Sequence, residues 1–377
     1  MVPLVGPAPA YADEVRNQQW HLSHLRVDAA WQHSTGEDTV VAVIDSGVDS
    51  DHPDLRGKVL PGIDLVDEGG DGHTDEVGHG TGVAALIAGH DDPAGVVGIA
   101  PGAKILPVRV LDQDNRYDDG STVAKGLRWA VDHGARVANL SLGSAKHSAD
   151  LADAIQYAYD HDVVVVACGG NVGVEKTDEI WYPASEPGVI AVTGLDQEGR
   201  FWKSSLHGPQ SVVSAPAVKL VGARPGGYWK VQGTSFAAPM VSAAAALVRS
   251  HWPDMSAANV VNRLIRTARD KGPEGRDDRY GFGVVDPVGA LTNPVASVRK
   301  NPLDITPPSR PPSAEWRSSP AAKQIVESDD SSAWWWIGFG GLGGVAVTVT
   351  AAAVLRRRRE PATTTIPVPP TIWTSGR

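Results

Sequence analysis

The chain has 377 residues, 42% hydrophobic and 21% charged, which supplies enough apolar material for a sizeable core and too little charge for a disordered polypeptide. Its formal net charge of −10 argues against a nucleic-acid-binding surface, which needs a basic stripe. A single cysteine, Cys168, excludes an intrachain disulfide, so packing, with or without bound ions, must hold the fold.

Residues 1–12, MVPLVGPAPAYA, end in Ala10-Tyr11-Ala12, the small-x-small pattern that precedes a signal cleavage site. They lack a basic start and a full apolar run, so we read them as a signal-peptide remnant, with a disordered terminus as the alternative. The stretch from Asn17 to Leu25 is expected to pack on the surface of the following domain. From Thr39 onward, strand-like and helix-like segments alternate. The strand candidates are TVVAVID, AKILPVRVL, ARVANLSLG, VVVVACG, VIAVTGLD and SVVSAPAV, mostly continuous β-branched runs of the kind that parallel strands buried on both faces require. Between them lie helical patterns such as STVAKGLRWAVDHG, with Ser121 placed to cap, and DLADAIQYAYDHD. Alternation of this kind predicts a three-layer α/β fold on a mainly parallel sheet, in one domain over residues 13–292.

Beyond that domain the texture changes. Residues 293–332 include DITPPSRPPSAEW and show no periodicity, which predicts an extended linker. Ala333 to Leu355 carries no charge and is long enough to span a bilayer as a transmembrane helix. Trp334, Trp335 and Trp336 would lie at one interface, and Arg356 to Arg359 would hold the other end in the cytoplasm, leaving 356–377 as a cytoplasmic tail. The domain itself would then face outward.

Three segments concentrate the chemistry: VAVIDSGVDSDHPDL around Asp45, GHGTGVAALIAGH around His79, and GTSFAAPMVSAAAAL around Ser235. Each sets a reactive side chain beside glycines at the edge of an apolar run. Together they supply a carboxylate, an imidazole and a hydroxyl, the set that turns a serine into a nucleophile. Asp45 would leave the carboxyl end of a strand, where open α/β sheets place their sites. His79 has a pKa suited to a general base. Ser235 sits at a predicted helix start, as nucleophile, as N-cap or as both, where the amides favour developing negative charge. Pro239 is expected in the first helical turn, where a missing N–H costs nothing.

In these motifs, and in their order, the chain resembles the subtilisin-like serine proteases from about Gln18 to about Leu291. NQQWHL near the start, the proline-rich stalk and the C-terminal anchor make it similar to the mycosins, membrane-bound subtilases associated with type VII secretion. The resemblance implies that Asp45, His79 and Ser235 form the triad and that Asn171 in VVVVACGGNVG contributes to the oxyanion hole. It further implies that Ser141, Leu142 and Gly143, with Ala167, Cys168 and Gly169, line the first specificity pocket. Cys168 by its setting is either a small buried hydrophobe or a thiol lining that pocket. Tyr117-Asp118-Asp119 matches the strand laid against bound peptide; its acidity would favour basic substrate residues, unless it is a solvated loop. A structural calcium site is implied at Asp54 and Asp92, with carbonyls of His90, Ala94 and Val96 and an oxygen from Gln19. No other cofactor is required, and no zinc pattern is present. The partners implied are protein or peptide substrates and the membrane complex of a type VII system. In the alternative reading the domain is a structural part of that complex and proteolysis is dispensable.

Overall fold

A computed structural model describes residues 10–303 and 319–320, apart from Glu68, Pro93 and Asp118. Residues 1–9 of the expected leader, most of the expected linker, the apolar segment 333–355 and the tail 356–377 lie outside the described residues.

The helices are α1 (Ala10–Asn17), α2 (Trp20–His24), α3 (Val27–Trp31), α4 (His79–Ala88), α5 (Gly120–Asp132), α6 (Ala149–Asp160), α7 (Thr234–His251), α8 (Ala257–Thr267) and α9 (Pro287–Thr292). The strands are β1 (Val40–Asp45), β2 (Ile63–Asp64), β3 (Lys104–Arg109), β4 (Arg116–Tyr117), β5 (Val137–Leu140), β6 (Val164–Cys168), β7 (Ile190–Leu195), β8 (Val213–Pro216), β9 (Leu220–Arg224), β10 (Gly227–Val231) and β11 (Ser319–Pro320). Seven of them form one sheet in the order β2-β3-β1-β5-β6-β7-β8, every pair parallel. Helices α5 and α6 pack on each other over one face, and α7, with α4, α8 and α9 around it, packs on β1 and β5 to β8. The fold is the expected three-layer α/β arrangement, and all six predicted strands are in the sheet. Strands β5 to β8 are buried throughout, which explains their continuous apolar sequences. From β1 the chain builds first toward β3 and later toward β5, so the strand order reverses beside Asp45.

Helix α7 is buried from Thr234 to Arg249, and its run of alanines lets it approach the sheet closely. Two local expectations are corrected. Asp119, not Ser121, caps α5, because its carboxylate accepts both the Ser121 and Thr122 amides. Pro239 lies inside α7, beyond the first turn. Lacking an N–H, it frees the Ser235 carbonyl four residues back, and that carbonyl accepts the Ser141 hydroxyl at 2.6 Å.

The segment from Asn17 to Leu25 packs on the domain as expected, and tightly. Gln19 exchanges two hydrogen bonds with the Val97 backbone, both 3.0 Å, and Trp20 donates to the Val218 carbonyl. Residues 294–303 also lie against the domain: Asn262 donates to Ala296 O, Asn259 accepts the Val298 amide, and Asn301 bonds Tyr159 and Gly188. Farther on, β11 pairs antiparallel with β4. Among the described residues no helix is long and apolar enough to cross a membrane.

Candidate active site

Asp45 is the last residue of β1 and is fully buried. One carboxylate oxygen accepts the Ser46 amide at 2.8 Å and lies 2.6 Å from His79 Nδ1. A carboxylate there makes Nδ1 the protonated nitrogen, which leaves Nε2 as the basic one. His79 opens α4 and is 2% exposed. Burial works against charging its ring. The Asp45 charge and hydrogen bond, aided by Asp75, outweigh that and raise its pKa. The following glycine allows this approach: a Cβ on Gly80 would stand 2.0 Å from the Gly47 carbonyl oxygen and 3.1 Å from Asp45 Cβ.

Asp75 belongs to the same constellation, and the sequence reading passed over it. Its buried carboxylate accepts the Gly78 amide at 2.7 Å, the Thr81 amide at 2.8 Å, and the hydroxyls of Ser46 and Thr81. It therefore clamps the first turn of α4 to the loop after β1 and fixes where His79 stands. Burial raises its own pKa despite these bonds. An aspartate four residues before a helix-opening histidine was the available signal, since such residues satisfy the orphan amides of a first turn.

Ser235 is the second residue of α7, and the N-cap position belongs to Gly233. The serine is therefore not the cap. Its hydroxyl points at Cys168 Sγ, 3.8 Å away, and makes no hydrogen bond to His79 among the described residues. The two elements nonetheless meet: α4 packs on α7, and the His79 ring lies 5.2 Å from that of Phe236. Resting sites of this kind commonly tighten only around substrate. A polar chain runs from α7 through β5 and back: Ser242 donates to Asn139, Asn139 to Ser141, and Ser141 to the Ser235 carbonyl. It locks the first turn of α7 at Ser235 to the end of β5.

Asn171 is 7% exposed. Its Oδ1 accepts the Thr234 amide at 3.0 Å and the Thr234 hydroxyl at 3.1 Å. An amide N–H requires an oxygen partner, so Nδ2 is the group left to donate. The side chain is thereby tied to the first residue of α7, beside Ser235 in sequence.

The segments expected to line a pocket converge on Ser235. Ser141 and Cys168 touch it, and Leu142 accepts from the Cys168 thiol at 3.6 Å. Gly143 and Gly169 follow their strands, whereas Ala167 is fully buried inside β6, between Leu140 and Ala191. Burial pushes the Cys168 pKa up to about 12, so the thiol stays neutral. Tyr117 is buried, Asp118 lies outside the described residues, and Asp119 is occupied as the cap of α5. His73 and His90, both partly exposed, each bond a backbone carbonyl, Leu60 and Arg56 respectively.

The side-chain oxygens expected to hold calcium accept hydrogen bonds from neighbouring donors. The two Asp54 carboxylate oxygens accept the Tyr228 hydroxyl at 2.9 Å and the Val96 amide at 2.7 Å. The Gln19 oxygen is taken by the Val97 amide. Asp92 accepts the Ala94 amide, and its carbonyl takes the Arg16 guanidinium. Hydrogen-bond donors thus reach both Asp54 carboxylate oxygens, the Gln19 oxygen and one Asp92 carboxylate oxygen.

Residues 36–283 match the model of the subtilase family, Peptidase S8. The chain is 35% identical over 324 residues to fervidolysin of Fervidobacterium pennivorans, covering 78% of this chain and 46% of that protein. It is thus less than half the length of that relative that the chain spans. It is 38% identical over 273 residues to subtilisin BL of Lederbergia lenta, covering 71% and 96%. The solved structure of MycP1 from the ESX-1 type VII secretion system superposes with a TM-score of 0.67 at 31% identity, covering 80% of this chain and 91% of that one. With the subtilase fold, the matching family model and these relatives in agreement, the chain belongs to the subtilase family of serine endopeptidases.

Proposed function

We propose that this protein is a membrane-anchored, extracytoplasmic serine endopeptidase that acts in type VII secretion, with Asp45, His79 and Ser235 as its triad. The observation that carries the triad is the 2.6 Å contact between Asp45 and His79 Nδ1, with the start of α7 packed against them. In the reaction Ser235 Oγ turns from Cys168, gives its proton to His79 Nε2 and bonds the scissile carbonyl carbon. The oxygen gains negative charge and accepts from Asn171 Nδ2 and the Ser235 amide. The C–N bond then breaks, His79 returns the proton to the leaving amine, and water releases the acyl group by the same steps. Asp45 holds the tautomer and stabilises the imidazolium.

The type VII assignment rests on the likeness to MycP1 and on the stalk and uncharged segment near the C-terminus. The test is labelling of the purified full-length chain with a fluorophosphonate, compared with Ser235→Ala. Labelling that disappears in the variant is expected. A folded wild-type protein that does not label would refute the triad and favour a structural role in the secretion complex.

A further inference from the structure

Strands β5 and β6 are neighbours, and their ends leave the sheet side by side at the nucleophile. Ser141, after β5, bonds the Ser235 carbonyl, and Cys168, ending β6, lies against its hydroxyl. A peptide carbonyl placed at Ser235 Oγ, with its oxygen toward Asn171, puts the adjoining side chain on the acyl side beside the gap between these two ends. The residue found across that gap is Trp181. A Cβ built on Gly170 would stand 2.5 Å from Trp181 Cδ2 and 2.7 Å from Cε2. One built on Gly143 would stand 3.3 Å from Trp181 Cβ and 3.5 Å from Cε3. The indole thus spans both exits, and Gly143 and Gly170 provide the room it needs.

Its position is fixed by the backbone. The Trp181 amide donates to the Gly169 carbonyl at 3.0 Å, the Ser185 amide donates to the Trp181 carbonyl, and Tyr182 and Ser144 exchange two backbone bonds. Among the described residues Trp181 is the largest fully buried side chain, and its Nε1 has no hydrogen-bond partner there. A buried tryptophan usually pairs that N–H, so shape rather than polarity holds this one in place.

We infer that Trp181 is a specificity-determining residue that closes the acyl-side slot and restricts cleavage to bonds following glycine, alanine or serine. This inference rests on the peptidase reading above. Hydrophobic pockets discriminate by about 10- to 200-fold for a single methylene, so a ring-sized mismatch is at least of that order.

The test uses the full-length chain and peptide substrates that differ only at the residue before the cut: glycine, alanine, serine, leucine or phenylalanine. Fluorophosphonate titration counts competent sites, so misfolded protein does not enter kcat/KM. The wild type is expected to favour alanine over phenylalanine by about 10²-fold or more. Trp181→Ala is expected to raise the phenylalanine-to-alanine ratio by about 10²-fold, and Trp181→Phe, which preserves more packing, by an intermediate factor. A wild type that labels and cleaves after phenylalanine as fast as after alanine overturns the inference and leaves the peptidase reading intact. A titratable Trp181→Ala that keeps the alanine preference also overturns it. A wild-type chain that neither labels nor cleaves removes both.

Discussion

His21 gives the fold a specific acid sensitivity. It lies in α2, is fully buried, and neither ring nitrogen has a hydrogen-bond partner among the described residues. Burial alone lowers its pKa from 6.5 to about 3. The unfolded chain therefore takes up a proton below pH 6.5 while the folded chain does not until about pH 3. Across that window the unfolded state binds more protons, and stability falls as the pH falls. Three and a half pH units at about 1.4 kcal/mol each make the full penalty on the order of 5 kcal/mol below pH 3, of which about 2 kcal/mol is reached by pH 5. Against a typical stability of about 5–15 kcal/mol, this is a measurable share. The segment unfolds with the domain because Gln19 and Trp20, beside it, are bonded to Val97 and Val218.

The perturbation is His21→Leu, which cannot ionise, made together with Ser235→Ala so that self-digestion does not intrude. Urea unfolding followed by tryptophan fluorescence at pH 7 and pH 5 gives four stabilities. The loss between the two pH values is expected to be about 2 kcal/mol smaller in the leucine variant than in the histidine parent. Other groups titrate in both proteins and cancel in that difference. Equal losses in the two proteins would refute the reasoning and mean that the folded state gives this imidazole a proton or a partner.

Two further outcomes follow from the site and its surroundings. Asn171→Ala is expected to lower kcat by about 10²–10³-fold with little change in KM, the effect of removing one such donor in related hydrolases, and steady-state kinetics on a cleaved peptide checks it. Because Tyr228, Val96 and Val97 donate to Asp54 and Gln19, a chelator is expected to leave the melting temperature unchanged, as read by thermal unfolding with and without EDTA; a fall of several degrees would show that the calcium site is filled.

What the sequence revealed divides along physical lines. The central strands were legible because burial on both faces demands a continuous apolar run, a signal carried entirely by the strand itself. Asp45, His79 and Ser235 stand out as candidates because reactive groups beside glycines are costly without a purpose. Asp75 and Trp181 do not, since each owes its role to where other segments bring it: Asp75 to the loop after β1, Trp181 to the paired exits of β5 and β6. The hairpin of β9 and β10 was passed over although Pro225-Gly226-Gly227 marks its turn, because its half-buried face gives only a weak alternation. The surroundings of the expected calcium ligands were illegible for a related reason. The acidic residues are present in sequence, but only the fold shows that Tyr228, 174 positions away, donates to the Asp54 carboxylate. The same logic makes Trp181 the sharper guide to substrate. The triad region is set by local motifs, whereas the size of the residue a subtilase accepts depends on what a distant loop places between two strand ends.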